Sequence, residues 1–287
     1  MTEQNPTYIV SVSGGLGSFE ALRRTIERHG KENTVAIFAD VGVVKDELGR
    51  NVSGEDESLY TFLDDIERHL AIEILRLRHN RYTDIWDVFF KKKMMGSSLR
   101  DPCSQQLKRK QIADWMKDNN YNAENSVRVL GFGRAEAGRA VTYERHMKEL
   151  NWKVWFPLID EPYCDNETIK AYLQEHSIPL PKLYEDGFGH NNCGGFCVKM
   201  GLGQAYDLYK NYPHRYLYHE NMEQKFQKEM NTDATIFRQR VKGILVSITM
   251  KELRRRFEEE NYIPRTAGLG QSTCGGRCMI PGSEMTS

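Results

Sequence analysis

The 287-residue sequence lacks an apolar run long enough to span a membrane, which takes about 18 residues, so we expect no such segment. Residues Met1 to Thr7 are polar and lack the apolar core of a secretory signal peptide, which predicts a cytoplasmic protein. The 40 basic and 40 acidic residues cancel, which excludes a generally cationic surface. Serine-hydrolase GxSxG elbows, Walker loops and HExxH zinc motifs are also absent, so the chemistry must come from other motifs.

A glycine-rich loop follows the first apolar run of the chain. It separates a predicted strand, Tyr8–Val12, from a predicted helix, Phe19–His29. Glycines let the backbone approach a ligand, the N–H groups of a helix N-terminus point outward, and the helix dipole favours negative charge. We therefore predict an anion site, with an ordinary tight turn as the alternative. Its residues are Ser13, Gly14, Gly15, Leu16, Gly17 and Ser18.

Strand and helix patterns alternate through the first two-thirds of the chain. Short apolar runs predict buried parallel strands at Tyr8–Val12, Val35–Phe38, Ile72–Leu75 and Val127–Leu130. Helical patterns are present at Phe19–His29, Leu59–His69, Ile85–Met95, Gln105–Asn119 and Glu167–His176. This order predicts an α/β fold with a Rossmann-like, doubly wound, mostly parallel sheet. Ligands bind such sheets beyond the carboxyl ends of the strands, where the glycine loop lies.

The character of the sequence changes after Pro179-Leu180-Pro181. We place a boundary near residue 185, between an α/β domain over residues 1–185 and a helical, cysteine-bearing region over residues 186–287. In the second region, helical patterns are predicted at Lys199–Lys210, His219–Met230, Arg238–Val246 and Thr249–Glu260. In the first region, the polar segment Glu47–Asp56 predicts a loop.

Charged side chains lie at or near the ends of the predicted strands. Asp40 ends the second strand, where a carboxylate binds a ribose hydroxyl, holds a metal or stabilises a turn. Arg134 and Arg139 follow the fourth strand, and a pair of guanidinium groups suits a phosphate or sulfate. Glu136 either orients an arginine or binds Mg²⁺, and Lys108 is a further cation for a phosphate. A salt-bridged, solvated surface is the alternative.

Four of the six cysteines form two pairs with identical spacing. Cys193-Gly-Gly-Phe-Cys197 and Cys274-Gly-Gly-Arg-Cys278 have the spacing of zinc ligands, and four thiolates complete a structural zinc site. An iron–sulfur cluster on Cys103, Cys193 and Cys197 is a second interpretation. Redox-active thiols on the tail are a third, and inert thiols a fourth.

In this order, the motifs resemble the PP-loop adenine-nucleotide α-hydrolase superfamily. Within it, they are most similar to the phosphoadenosine phosphosulfate (PAPS) reductase family, with its DNA phosphorothioation and phage-borne relatives. The resemblance covers about residues 7 to 200. The matching segments are Ser13–Ser18 for the PP-loop, Phe38–Gly42, Cys103–Lys108, Gly133–Arg139, Phe156–Asp160 and Leu183–Cys197.

The resemblance implies that the PP-loop and Asp40 bind an adenine nucleotide, either ATP with Mg²⁺ or a PAPS-like compound. Members that use ATP cleave it between the α and β phosphates and adenylate an oxygen, which sulfur then replaces. The implied partners are a nucleic-acid or small-molecule acceptor and a cysteine desulfurase. The resemblance also implies a set of catalytic residues, in which the cations stabilise charge on the α-phosphate and the thiol passes sulfur or ligates a cluster. These residues are Cys103, Lys108, Arg134, Glu136 and Arg139.

Two alternatives stay open beside this activity. One is a reductase of PAPS or its unphosphorylated analogue APS, with Cys274 or Cys278 as nucleophile and a thioredoxin-like reductant as partner. The other is a non-catalytic module that binds a nucleotide or zinc. Gly17 stands where ATP-cleaving relatives carry an aspartate, and the tail around Cys274 lacks the Glu-Cys-Gly-x-His of reductases. Assembly as a homo-oligomer is also left open.

Overall fold

The computed structural model describes residues 5–98 and 100–269 of the chain, and within these ranges no helix is long and apolar enough to cross a membrane. The strands are β1 (Thr7–Val12), β2 (Thr34–Asp40), β3 (Val43–Lys45), β4 (Asn51–Gly54), β5 (Ile74–Arg78), β6 (Ser126–Val129), β7 (Lys153–Trp155), β8 (Phe237–Val241) and β9 (Ile244–Ile248). The helices are α1 (Leu16–His29), α2 (Glu57–Leu70), α3 (Ile85–Lys92), α4 (Pro102–Ser104), α5 (Lys110–Asp118), α6 (Ala137–Glu149), α7 (Asn166–Glu175), α8 (Lys182–Glu185), α9 (Leu202–Asn211), α10 (Pro213–Met230) and α11 (Met250–Glu259).

A five-stranded parallel sheet organises the first part of the chain. Its strand order is β5-β2-β1-β6-β7, so the chain winds from β1 towards one edge and then from β6 towards the other. Val10 of β1 pairs with Ala36 of β2 on one side and with Val129 of β6 on the other. This order confirms the predicted Rossmann-like, doubly wound fold. Its topological switch point lies between β1 and β6.

Alternate side chains of the strands build hydrophobic cores on the two faces of the sheet. Val10 of β1 packs in one core with Leu22 of α1 and Phe62 of α2. Ile9, its neighbour along the strand, belongs to a different core with Ile112 of α5. Helices cover both faces, which is why the central strands have continuous apolar sequences.

A further core joins the C-terminal helices to α3. Trp86 and Phe89 of α3 share this core with Phe196, with Tyr216 of α10 and with Phe257 of α11. The packing therefore crosses residue 185, where the sequence analysis places a domain boundary, and that boundary stays a prediction.

The C-terminal region contains a β-hairpin in addition to its helices. The helix predicted over Arg238–Val246 is wrong, because β8 and β9 pair there as antiparallel strands. Lys242 and Gly243 form the turn with φ values of 48° and 84°, the left-handed conformation of a two-residue hairpin loop. Periodicity alone does not separate short strands from helices, and this turn is the signal that the helical interpretation overlooks.

Three short strands also depart from the predicted set. β4 lies inside the segment predicted as a loop and pairs with β3, where no strand is predicted. β7 forms the edge of the parallel sheet beside β6, and no strand is predicted there either. These strands have three or four residues, which is too short for an apolar pattern to stand out.

Glu223 of α10 anchors both ends of the hairpin. Its carboxylate oxygens accept hydrogen bonds from the backbone N–H groups of Ile236 at 3.0 Å and of Met250 at 2.7 Å. Burial of this side chain raises its pKa to about 7, although the two N–H groups act in the opposite direction. A buried carboxyl thus connects α10 to the segments that begin and end the hairpin.

We expect the contribution of Glu223 to the free energy of unfolding to fall as the pH rises from about 4.5 to about 7. A carboxyl whose pKa is higher in the folded state binds more protons when folded, so this contribution favours folding at acid pH. It amounts to at most about 3 kcal/mol. Urea unfolding at acid and alkaline pH measures the effect. Glu223→Gln should reduce the pH dependence and Glu229→Gln, an exposed position on the same helix, should not. An unaltered pH dependence in Glu223→Gln would contradict the assignment.

Candidate functional site

The loop predicted to bind an anion forms the start of α1. Gly15 is the N-cap, with φ −97° and ψ 163°, and the helix begins at Leu16. Ser18 Oγ accepts from the N–H of Ser13 at 3.0 Å and donates to the Gly15 carbonyl at 2.9 Å, so the serines close the loop. Tyr184 of α8 accepts from the N–H of Leu16 through its hydroxyl at 3.4 Å. The first N–H groups of the helix lack partners within the helix, as at any helix N-terminus.

Two glycines allow the loops after β1 and β6 to touch. A Cβ atom on Gly17 would lie 2.5 Å from the carbonyl oxygen of Gly131, and a Cβ on Gly131 would overlap the backbone of Gly17. Gly14 is restricted too, because its φ is +72° and a Cβ there would overlap Leu59. The contact leaves no room for a side chain at residue 17.

A cavity of about 670 Å³ lies between this loop, the turn after β6 and the cysteine segment before α9. This volume falls within the usual range for small-molecule and cofactor pockets. The structure therefore brings the predicted anion loop, cations and three thiols to one cavity. The predicted residues on its wall are Ser13, Gly15, Leu16, Gly17, Ser18, Cys103, Lys108, Arg134, Glu136, Arg139, Cys193 and Cys197.

The turn between β6 and α6 brings two arginines to the cavity. Glu136 accepts a hydrogen bond from the N–H of Gly133 at 3.2 Å and forms an ion pair with Arg139. Arg134 is exposed, and its guanidinium carbon lies 4.3 Å from the centre of the Tyr163 ring. Glu136 thus orients an arginine in the structure, which is one of the two roles that the sequence suggests for it.

Cys103 and Lys108 lie on one helical segment, which includes α4 and α5. Between these helices, Gln105–Arg109 forms a π-helical turn that carries Lys108. Cys103 precedes this turn and is buried. Short π-helical turns within helices occur frequently at functional sites, because they shift the side chains that follow them.

Glu55 links Lys108 to the cysteine segment from behind the cavity wall. Its side chain is almost fully buried. Oε1 lies 3.6 Å from Lys108 Nζ, and Oε2 accepts from the backbone N–H of Cys193 at 2.8 Å. Burial raises the pKa of Glu55, whereas the charge of Lys108 and the Cys193 N–H lower it. Glu55 is not predictable as a site residue, because it lies in the polar segment predicted as a loop and has no motif around it.

Asp40 takes part in the turn that follows β2. Its Oδ1 accepts hydrogen bonds from the Gly42 N–H and the Tyr60 hydroxyl, both at 2.6 Å. Asp40 and Gly14 are both buried, and neither is among the described residues that line the cavity. The geometry gives Asp40 the turn-stabilising role, and nucleotide binding by Asp40 stays a prediction.

The structure places part of the predicted metal site at the cavity. Cys103, Cys193 and Cys197 line it, whereas Cys274 and Cys278 lie outside the described residues. Over residues 5–98 and 100–269, no group of three or more Cys, His, Asp or Glu side chains is arranged to hold a metal ion. Because a structural zinc site takes four ligands, a zinc or cluster site that draws on the tail cysteines stays a prediction.

Asn191 is a further residue of the cavity wall that the sequence analysis does not identify. Its side chain is almost fully buried, and its amide nitrogen and oxygen have no hydrogen-bond partner within the described part of the chain. Buried amides in proteins normally bind a protein group or an ordered water molecule. The sequence offers no signal here beyond two consecutive asparagines before Cys193.

Comparisons with known proteins give distant similarities. No protein-family model matches the sequence. The uncharacterized protein MJ0066 of Methanocaldococcus jannaschii is 26% identical over 225 residues, which cover 78% of this chain and 42% of that protein. This chain therefore spans less than half the length of that curated relative. The crystal structure of PAPS reductase from Candida auris, a phosphate complex, aligns at a TM-score of 0.42 and 13% identity, over 64% of this chain and 79% of the other. These similarities do not assign a function to this chain.

We expect Gly17→Ala to destabilise the protein by about 1 to 3 kcal/mol, because the added methyl group meets the backbone at Gly131 and not a flexible side chain. Urea denaturation measures the change in the free energy of unfolding. Gly138→Ala is the matched control, since a Cβ there meets open space and alanine favours the helix. Equal stability of the two variants would contradict the close contact between the loops after β1 and β6.

Proposed function

We propose that the chain binds an adenine nucleotide in the cavity, with the phosphate or sulfate end of the nucleotide against the loop Ser13–Ser18. The observation that supports this most directly is the shared cavity, where a helix N-terminus, three cationic side chains and four thiols meet. Helix N-termini after glycine loops bind phosphates through backbone N–H groups and the helix dipole. Adenine as the base follows from the resemblance to the PP-loop superfamily.

Each of the three cationic side chains has its own role in this proposal. Arg134 is exposed at the cavity, so its guanidinium can form two parallel hydrogen bonds with phosphate or sulfate oxygens. Arg139 is oriented by Glu136, and Lys108 by Glu55. Fixed positive groups of this kind stabilise the negative charge that develops at phosphorus or sulfur during transfer.

The reaction we propose is ATP-dependent adenylation followed by sulfur transfer to a nucleic-acid or small-molecule acceptor. An acceptor oxygen attacks the α-phosphorus, the bond to the bridging oxygen breaks, and pyrophosphate leaves with the electron pair. The outer sulfur of a cysteine persulfide then attacks the adenylated acceptor and displaces AMP. A second cysteine thiol attacks the inner sulfur, which releases the acceptor as a thiol and leaves the two cysteines as a disulfide for a thiol reductant to reduce. The thiols at the cavity support this role, and a cysteine desulfurase is the class of partner that would supply the sulfur.

Sulfonucleotide reduction is a second candidate, which the contact at Gly17 favours because it excludes the aspartate of ATP-cleaving relatives. A thiolate, from Cys274 or Cys278 in this candidate, attacks the sulfur of PAPS or APS. The bond between that sulfur and the phosphate oxygen breaks, and the nucleotide leaves. A second thiol then displaces sulfite and forms a disulfide, which a thioredoxin-like partner reduces. A zinc ion or cluster held by Cys193, Cys197, Cys274 and Cys278 together would engage these tail thiols.

We expect Arg134→Gln to weaken nucleotide binding by about tenfold, the size of one lost charge-assisted hydrogen bond. Isothermal titration of the full chain with ATP, AMP, PAPS and APS measures the affinities. Arg238→Gln is the matched control, because Arg238 is exposed on the hairpin and is not among the residues that line the cavity. Failure of all four compounds to bind would contradict the proposed function, and equal effects of the two variants would contradict the role of Arg134.

Product analysis separates the two candidate reactions. ATP-dependent sulfur transfer releases AMP and pyrophosphate when an acceptor is present, whereas sulfonucleotide reduction releases sulfite from PAPS or APS when a thiol reductant is present. We expect pyrophosphate from ATP and no sulfite. Sulfite from either sulfonucleotide would replace the first candidate with the second, and the absence of both products would contradict both reactions.

A further inference from the structure

Two consecutive acidic residues hold the turn that carries Cys193, Glu55 directly and Asp56 through Arg215. Glu55 accepts a hydrogen bond from the Cys193 N–H at 2.8 Å. Asp56 Oδ2 lies 2.5 Å from Arg215 Nη2, and Arg215 Nη1 donates to the carbonyl of Gly194 at 2.8 Å. The three charged side chains are buried, so these contacts are shielded from water.

The turn that they hold has an unfavourable backbone conformation. Cys193 has φ 51° and ψ 40°, and Gly194 has φ 60° and ψ 26°, so two successive residues are left-handed. For a residue with a Cβ atom this conformation costs roughly 1–2 kcal/mol. A Cβ on Gly194 would also lie 2.6 Å from the carbonyl oxygen of Gly54. Backbone strain that surrounding contacts maintain is a recurrent feature of functional sites.

Each of the three guanidinium nitrogens of Arg215 donates a hydrogen bond. In addition to Asp56 and Gly194, it donates from Nε to the carbonyl of Asn51 at 3.2 Å, and its guanidinium carbon lies 4.2 Å from the centre of the Tyr212 ring. A side chain with this many partners determines the position of the Gly194 carbonyl closely. Arg215 therefore connects α10 to β4 and to the turn at Cys193 and Gly194, which we call the thiol turn.

We propose that Glu55 and Arg215 are positioning residues that present the Cys193 thiol to the nucleotide cavity beside Lys108. Glu55 acts on both sides, since one oxygen holds the Cys193 N–H and the other faces Lys108 Nζ. The relative position of the thiol turn and the cation thus depends on one carboxylate. This inference rests on the proposed function for the identity of the ligand, whereas the position of Cys193 is independent of which nucleotide binds.

The rate at which iodoacetamide alkylates Cys193 tests the proposal, measured by peptide mass spectrometry on the reduced full chain with a chelator and without nucleotide. Glu55→Leu removes the acceptor for the Cys193 N–H, whereas Glu55→Gln keeps an acceptor oxygen and loses the charge. We expect Glu55→Leu to increase the rate at Cys193 about tenfold, and Glu55→Gln to stay within about twofold of the wild type, because the turn is held by the hydrogen bond.

Arg215→Lys is the second variant, and it tests the positioning of Cys193 if Glu55→Leu does not fold. Lysine keeps the charge opposite Asp56 and lacks the fork that reaches the Gly194 carbonyl, so we again expect faster alkylation of Cys193. Glu57→Gln is the matched control, since Glu57 is exposed and pairs with Lys45 at the surface.

The thiol of Cys164, also on the cavity wall, serves as an internal reference in each variant. Its alkylation rate should stay at the wild-type value. The proposal is overturned if Cys193 reacts at the wild-type rate in the folded variants, or if Cys164 accelerates equally, which would indicate general loosening. Because no nucleotide is present, failure of this test is distinct from failure of nucleotide binding.

Discussion

The backbone contact between Gly17 and Gly131 is the constraint on which the candidate site depends. It lies at the switch point of the sheet, where the loops after β1 and β6 diverge in a doubly wound fold. Because neither position accommodates a side chain, the two loops approach closely and the anion loop meets the turn that carries Arg134 and Arg139. The same contact excludes an acidic side chain at residue 17.

A second constraint comes from charges that are buried in pairs. Breaking one partner of a buried ion pair is strongly destabilising, because the other charge is left in a poorly polar environment. The pair of Asp56 and Arg215 joins the segment before α2 to α10, and Glu55 beside it reaches Lys108 and the Cys193 turn. The C-terminal helices therefore contribute to the site by fixing the thiol turn against the loops of the sheet, and not by lining the cavity themselves.

Local physical chemistry determines which parts of this arrangement are predictable from the sequence. The central strands are mostly apolar because both faces are covered, and the loop Ser13–Ser18 has a short, characteristic pattern, so the sheet and the position of the glycine loop follow from the sequence. The hairpin at Phe237–Ile248 does not, since each of its strands has only five residues and Glu223 holds the flanking segments through tertiary contacts. Glu55 and Asn191 are not predictable for a related reason, because their surroundings are formed by residues that are far away in the sequence. Cys103, Cys193 and Cys197 are predictable as a set, whereas the left-handed turn at Cys193 is visible only in the structure.

In the proposed function, the loop Ser13–Ser18, the cavity and the turn at Cys193 serve a nucleotide-dependent sulfur chemistry. Its central claim is that the backbone N–H groups at the start of α1 bind the anionic end of an adenine nucleotide. A crystal structure of the protein soaked with ATP or APS tests this claim most directly. The account predicts electron density for a phosphate or sulfate group within hydrogen-bond distance of the Gly15–Gly17 amides, with the thiols of the cavity facing its reactive end. Density for the nucleotide at another surface, or a cavity without it at saturating concentration, would contradict the account.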